Sequence, residues 1–198
     1  MTVINTNWEP YIETQSGRKF TFLAPKPDDI DITDIAHALS QQCRYNGHSK
    51  TFYSVAEHSV LVASRLRPGI ALAGLLHDAA EAYLSDIPSP IKHYLPDYEK
   101  LEAGVEEAIF KKFHIWDTIQ EHKAEIKRAD LEQLATEAHY LLVSKGEDWP
   151  WIKEANIKVD ETRKPLGMPP GQAFAVFMDY YMYLTKKQKS RIWIPNAA

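Results

Sequence analysis

An apolar run in the middle of this chain leads directly into ionisable side chains. Residues 70–76 are apolar or glycine, His77 and Asp78 follow at once, and Glu81 comes four residues after the histidine. A helix that is apolar on all sides is buried, and a charged group at its end is costly unless a partner neutralises it. A divalent metal ion is such a partner. The run therefore predicts a buried helix that ends at a metal site, with further ligands elsewhere in the chain.

The helix before this run predicts one of those ligands. Ser54 begins a capping-box pattern, so a helix is expected over about 55–66, and it contains His58 in its first turn. Pro68-Gly69 breaks this helix and leaves only a short connection to the next one. Helices joined so tightly are antiparallel neighbours, which brings the start of one beside the end of the other. We therefore expect His58 to lie close to His77.

Asp130 is the best candidate for a fourth ligand, supplied by a distant helix. It lies beside an apolar stripe, where aspartate is otherwise a poor helix former. Two imidazoles and two carboxylates suit several divalent transition metals, such as Zn, Co or Mn, without choosing one. In the plainer interpretation, His77-Asp78 is a surface or capping pair and Asp130 pairs with Lys127 or Arg128. The helical context and His58 favour the metal.

The remaining pattern predicts a mostly helical protein with a short hairpin. Alternating residues at 11–14 and 19–22, with turn residues between them, predict a β-hairpin. Residues 85–90, with two prolines, are expected to form a rigid loop without helix. Residues 145–170 are expected to be irregular with one short helical piece. Helices are expected over residues 33–42 (capped by Thr33), 55–66, 70–83, 97–113, 119–142 and 172–186.

We expect one domain over residues 1–198. It would consist of a hairpin and arm (1–30), a metal-binding helical core (33–143), and a polar loop with a C-terminal helix (144–198). A length of 198 residues is enough to bury one sizeable core.

Composition narrows the partners and the compartment. The formal charge of −4 gives no general reason to expect binding to nucleic acid or to an anionic membrane. No apolar run approaches the roughly 18 residues that a membrane span requires. The single cysteine, Cys43, excludes an internal disulfide, and residues 1–5 lack the basic and apolar regions of a signal peptide. A cytoplasmic protein is the expectation.

These residues resemble the pattern of the HD-domain phosphohydrolase superfamily. That pattern is a histidine on one helix, His-Asp on the next and a distant aspartate. The closer resemblance is to small bacterial and phage members that hydrolyse 2′-deoxynucleotides, and four motifs occur in the right order. The matching positions are Arg44-Tyr45, Ala56-Glu57-His58-Ser59, His77-Asp78-Ala79-Ala80-Glu81, the run from Asp86 to Lys92, and Asp130.

The resemblance implies an all-α HD-domain helical bundle that binds a divalent metal and forms a homo-oligomer. The implied reaction is attack of water on a phosphate ester to release a deoxynucleoside. Tyr45 stands where bacterial deoxynucleoside 5′-nucleotidases usually have Trp. The hairpin and residues 46–50 are more similar to phage-encoded members, some of which are dATP triphosphohydrolases. Both a dNTP triphosphohydrolase and a dNMP 5′-nucleotidase therefore stay open.

The resemblance also implies roles for two carboxylates beside the metal ligands. Glu81 would orient or deprotonate the attacking water. Asp86 would act as a second acid or base. Only the motif implies this role, because an aspartate in a loop that ends a helix does not by itself indicate catalysis. Alternatives are a hydrolase of cyclic nucleotides or guanosine tetraphosphate, and a nucleotide-binding module without catalysis.

Candidate substrate contacts lie on the flanking loops. The planar fork of Arg44 suits bidentate binding of phosphate oxygens. Lys92, on a proline-rich loop, is either a pre-placed cation for phosphate or a solvent-facing lysine. His48 can also bind phosphate, although an exposed loop residue more often has no role in function. Tyr45 can stack on the nucleotide base.

Overall fold

The structure, a computed structural model, describes residues 10–185. Within this range the chain forms a mostly helical bundle and one antiparallel two-stranded hairpin, which confirms the expected fold class. None of the helices in this range is both long and apolar enough to cross a bilayer. The elements are β1 (Tyr11–Glu13), β2 (Lys19–Thr21), α1 (Ile32–Gln41), α2 (Val55–Ala63), α3 (Pro68–Leu75), α4 (Glu81–Leu84), α5 (Ser89–Lys92), α6 (Pro96–Lys112), α7 (Trp116–Leu141), α8 (Pro150–Glu154) and α9 (Pro170–Leu184).

Helix α2 is the centre of the bundle. Every one of its residues is buried, and it packs against α1, α3, α7 and α9. Ser54 caps it as predicted, since its hydroxyl accepts the Glu57 N–H at 3.1 Å. The Glu57 side chain does not complete the capping box. It instead accepts the backbone N–H groups of residues 166–168 and so ties the segment before α9 to α2.

The hairpin packs onto the bundle through one aromatic residue and one turn. Strands β1 and β2 pair in the register that sets Ile12 opposite Phe20. Phe20 is fully buried and stacks on Tyr83 of α4 with ring centroids 3.9 Å apart. In the turn, the backbone N–H and the hydroxyl of Ser16 both donate to the carboxylate of Asp34 on α1. The hairpin therefore braces α1 and α4, the two helices behind the candidate site.

The expected continuous helix over 70–83 is wrong. Helix α3 ends at Leu75, residues 76–80 form turns, and α4 begins at Glu81. The N–H groups of Ala79 and Glu81 bond carbonyls three residues back, which is the tighter 3₁₀ pattern. This break matters for the site because it re-aims His77 and Asp78, which would point about 100° apart on an ideal helix.

Smaller differences concern helix ends. Asp31, and not Thr33, caps α1, because its carboxylate accepts the Thr33 N–H. The segment 85–90 is not free of helix, since α5 begins at Ser89 and carries Pro90 in its first turn, where proline costs no hydrogen bond. The short helical piece expected within 145–170 is α8. The expected arm before residue 10 and the C-terminal helix end at Lys186 lie outside the described residues.

Candidate metal centre

Four side chains from three parts of the fold converge beside α2. The Nε2 atom of His58 lies 3.5 Å from Asp78 Oδ2 and 3.3 Å from Asp130 Oδ1. The Nε2 atom of His77 lies 3.2 Å from Asp78 Oδ2 and 4.0 Å from Asp130 Oδ1. The two imidazole ring centroids are 5.4 Å apart. The four residues predicted from the sequence as ligands therefore form one cluster.

The tautomers of both imidazoles direct lone pairs into this cluster. The Nδ1 atom of His77 lies 2.8 Å from the Gly74 carbonyl oxygen, which can only accept, so Nδ1 must carry the proton. The Nδ1 atom of His58 lies 2.6 Å from Glu137 Oε1. A neutral imidazole has one proton, so each Nε2 then presents a lone pair. Both Nε2 atoms are buried and have no hydrogen-bond partner within the described residues 10–185.

Lone pairs that face carboxylates need a cation between them. The His58 and His77 Nε2 atoms and an Asp130 oxygen lie within 4.8 Å of one another, a spacing that can hold a metal ion. Two nitrogen and two oxygen donors fit a divalent transition metal. The hydrogen bonds at each Nδ1 are of the kind that fixes the orientation of a metal-binding histidine. The residues present therefore fit a divalent ion.

Protonation of His58 is the other way to satisfy the cluster. Burial and the Arg44 guanidinium lower the pKa of His58, but Glu137 and Asp130 outweigh them and raise that pKa to about 9. Burial likewise opposes charge on Asp78, yet His77 and His58 hold the pKa of its carboxyl below the usual range. A metal ion must displace the His58 proton, so metal binding and protonation compete.

Glu137 is the site residue that the sequence did not reveal. It is fully buried on α7, and its carboxylate accepts the hydroxyls of Tyr53 at 2.7 Å and Tyr45 at 3.0 Å. Its Oε2 lies 3.3 Å from Arg44 Nε, while Oε1 faces His58. The available signal was spacing: a position seven residues after Asp130 lies two turns along the same helix face.

Arg44 lies between Glu137 and the metal cluster. Its Nη1 atom is 3.7 Å from Asp78 Oδ2, and the side chain is only 11% exposed. The residues after it are strained, because Tyr45 (φ 57°) and Asn46 (φ 50°) both adopt the left-handed conformation. Strain of this kind is common at functional sites, where surrounding contacts hold it in place. The Tyr45–Glu137 hydrogen bond is one such contact.

Glu81 begins α4 and Asp86 follows its end, and one side chain, that of Gln42, binds the backbone at both positions. The side chain of Gln42 donates to the Glu81 carbonyl at 2.8 Å and accepts the Asp86 N–H at 3.1 Å. The Oε2 atom of Glu81 is buried and has no hydrogen-bond partner in the part of the chain that the structure describes. Burial, reinforced by Asp78 and Asp86, raises the pKa of Glu81 well above its ordinary value. Burial also raises the pKa of Asp86.

The remaining candidates differ in their surroundings. Lys92 is not free in solvent, since its ammonium donates to Glu102 Oε1 on α6 at 2.7 Å. The Tyr45 hydroxyl points inward to Glu137, and its ring lies under Arg44 with 5.7 Å between the ring centroid and the guanidinium carbon. His48 is exposed, and no side chain within residues 10–185 bonds to its imidazole. Base stacking by Tyr45 and phosphate binding by Lys92 and His48 stay predictions.

Comparisons with known proteins give relatives but no matching family model. The uncharacterized protein YfdR of Escherichia coli is 37% identical over 179 residues, which cover 90% of this chain and 98% of YfdR. An uncharacterized protein of Rhodobacter capsulatus is 39% identical and covers 64% of this chain and 70% of its own length. A protein of Vibrio vulnificus named 5′-deoxynucleotidase is 28% identical over 69% of this chain and 72% of that protein. With more than a third of its residues identical over nearly all of YfdR, the chain belongs to the YfdR family.

Proposed function

We propose that this chain is an HD-type, metal-dependent phosphohydrolase of 2′-deoxynucleotides. The observation that carries the proposal is the pair of buried Nε2 atoms, on His58 and His77, that have no hydrogen-bond partner within residues 10–185 and face two carboxylates. Arg44 beside Asp78 adds a fixed cation at the edge of the same cluster. The name 5′-deoxynucleotidase of distant Vibrio relatives agrees with a nucleotide phosphohydrolase.

Charge favours substrate binding only when the cluster holds its cation. Carboxylates outnumber permanent cations around the site, so a phosphate would otherwise be repelled. A bound divalent metal supplies positive charge and lowers the pKa of water to near neutrality. Arg44 is then placed to bind further phosphate oxygens, because its guanidinium is buried and oriented by Glu137 before substrate arrives. Preorganised cations of this kind are the main source of catalysis in phosphoryl transfer.

Two carboxyl groups can divide the proton transfers. The oxygen of water forms a bond to phosphorus as the bond from phosphorus to the leaving oxygen breaks. Glu81 can accept the proton that water releases when its carboxyl is ionised, and its raised pKa then makes it a stronger base than a solvated carboxylate. Asp86, whose pKa is also raised, can donate a proton to the leaving deoxynucleoside oxygen. Both groups are buried enough for their acid and base roles to differ from those of solvated carboxylates.

The proposal includes two possible products. Attack on the α-phosphorus of a dNTP releases a deoxynucleoside and triphosphate, whereas attack on a dNMP releases a deoxynucleoside and phosphate. Zn, Co or Mn is the proposed metal. Domain unity over residues 1–198 and homo-oligomeric assembly are also part of this proposal.

The test is a product assay on metal-reconstituted protein with all dNMPs, all dNTPs, their ribonucleotide counterparts, cyclic nucleotides and guanosine tetraphosphate. We expect release of a deoxynucleoside from at least one deoxynucleotide, and none after chelation. Asp78→Ala should abolish turnover, whereas Lys100→Ala, an exposed variant on α6, should not. Release of no phosphate, pyrophosphate or triphosphate from any nucleotide would overturn the proposal.

A further inference from the structure

The carboxylate of Glu137 has a divided set of partners. Its Oε1 contacts His58 Nδ1 at 2.6 Å and the Tyr53 hydroxyl at 2.7 Å. Its Oε2 contacts the Tyr45 hydroxyl at 3.0 Å and Arg44 Nε at 3.3 Å. The residue is fully buried, where an ionised carboxylate persists only when such partners neutralise and hydrogen-bond it. One oxygen thus faces the metal cluster and the other faces the candidate phosphate-binding arginine.

We propose that Glu137 is a positioning residue that fixes the tautomer and the orientation of His58 for metal binding. This inference rests on the proposed function, since it concerns the same metal cluster. An ionised carboxylate only accepts hydrogen bonds, so it keeps the His58 proton on Nδ1 and the lone pair on Nε2. The Nε2 atom then faces Asp78 and Asp130. Residues that orient a metal-binding histidine in this way change metal affinity about 10- to 100-fold when they are altered.

The packing around the ring explains why His58 needs such a partner. His58 is fully buried on α2, and the carboxylates of Asp78 and Asp130 face its other ring nitrogen, Nε2. Without Glu137, the Nδ1 atom would have no acceptor, and the proton would move to Nε2 to meet Asp130. That tautomer presents a proton where the metal needs a lone pair. His77 does not depend on a side chain in this way, because the Gly74 carbonyl fixes its Nδ1.

The first test measures Co²⁺ binding to metal-stripped protein. Titration gives the affinity, and the visible absorption of the bound ion reports its ligand geometry. Glu137→Gln keeps the shape but removes the charge, and its amide can also donate. We expect its Co²⁺ affinity to fall about 10- to 100-fold, with an altered spectrum. Glu132→Gln is the matched control, because it makes the same change on α7 at a carboxylate that pairs with Arg128 and not with His58. It should leave the Co²⁺ affinity and the spectrum unchanged.

The second test uses no Glu137 variant and so is independent of whether Glu137→Gln folds. Long-range ¹H–¹⁵N spectra of the wild-type protein with Zn²⁺ report which imidazole nitrogen carries the proton. We expect His58 to be protonated on Nδ1, with its resonances identified by their loss in His58→Gln. Protonation of His58 on Nε2 would overturn the inference.

The two proposals fail differently. If the wild-type chain binds no divalent ion, the proposed function falls and this inference falls with it. If the wild-type chain binds Co²⁺ and Glu137→Gln binds it with the same affinity and spectrum, only the positioning role of Glu137 is overturned.

Discussion

The two walls of the candidate site are built in opposite ways. The inner wall (Arg44, Tyr53, His58 and Glu137) is buried, and a shared carboxylate connects all of its members. The outer wall (Glu81, Asp86 and Lys92) is less connected. Within residues 10–185, Glu81 has a buried oxygen without a hydrogen-bond partner, and Lys92 pairs with Glu102. One carboxylate thus fixes the side chains of the inner wall before any nucleotide binds, and it leaves His58 Nε2 unpaired toward the metal cluster, whereas the outer-wall side chains share no such partner among the described residues.

This difference separates two tasks. A metal ion must be held in one geometry through every turnover, which a connected and buried wall provides. Proton transfer instead needs groups whose pKa values differ from those of solvated carboxyls, and burial raises the pKa of both Glu81 and Asp86. We therefore expect changes at the metal cluster to remove the ion, and changes in the outer wall to slow the chemistry while the ion stays bound.

The largest effect is expected from Asp130→Ala. It removes a carboxylate that faces both imidazoles, so metal binding and turnover should both be lost. The helix should persist, because alanine is a better helix former than aspartate. Metal content and circular dichroism check both points. Lys127→Ala is the control, since it removes only the exposed partner of Asp130 and should keep the metal. Full metal content in Asp130→Ala would contradict the account.

Glu81→Gln should separate chemistry from metal binding. Loss of the proton acceptor is expected to lower kcat roughly 10²- to 10⁴-fold. Metal affinity should change little, because Glu81 contacts neither imidazole within the hydrogen-bond and ion-pair distances of the structure. Steady-state kinetics and a metal titration on the same preparation make the comparison. If Glu81→Gln lost the metal together with activity, the outer wall would also be needed to hold the metal, which contradicts the division of tasks between the two walls.

Glu106 on α6 predicts a pH dependence of stability. Burial, with Glu102 and Asp78 adding repulsion, raises the pKa of Glu106 from 4.5 to about 7. The folded state holds this proton more tightly than the unfolded state does. The protonated carboxyl therefore stabilises the folded state fully below pH 4.5, and this stabilisation is lost as the pH rises through about 7. In metal-free protein, Glu106→Gln should raise the free energy of unfolding at pH 8 by roughly 1–2 kcal/mol, allowing for partial exposure.

Urea unfolding at pH 5 and pH 8 measures this difference. Glu107→Gln, on the exposed side of the same helix, is the control. Equal changes in the free energy of unfolding at both pH values would contradict a raised pKa for the Glu106 carboxyl.

The smallest effect is expected at Asn46, which supports the inner wall through the backbone. Asparagine tolerates the left-handed conformation, and alanine at φ 50° costs about 1 kcal/mol. Asn46→Ala should lower the free energy of unfolding by about that amount, whereas Asn46→Gly should leave it nearly unchanged. Chemical denaturation compares the two. Equal stability of the two variants would show that this turn relaxes when it is altered.

Parts of this arrangement follow from the sequence for clear reasons. The closeness of His58 and His77 is predictable, because a connection of only a few residues, 64–67 in the structure, allows few ways for two helices to pack. The turn at 76–80 is not predictable, because Ala79 and Ala80 are strong helix formers and only tertiary contacts override them. Glu137 escapes prediction because a helical glutamate is usually exposed, and its spacing of seven residues from Asp130 indicates a shared helix face but not burial.

The most direct test of the metal centre is an anomalous difference map from crystals of the wild-type chain soaked in Zn²⁺. One peak should lie between His58 and His77, about 2.1 Å from each Nε2 atom, with Asp78 and Asp130 completing its protein ligands. The hydrogen bond between Glu137 Oε1 and His58 Nδ1 should be kept in the zinc-bound protein. A map with no peak at this position, or with zinc bound only elsewhere, would contradict the account.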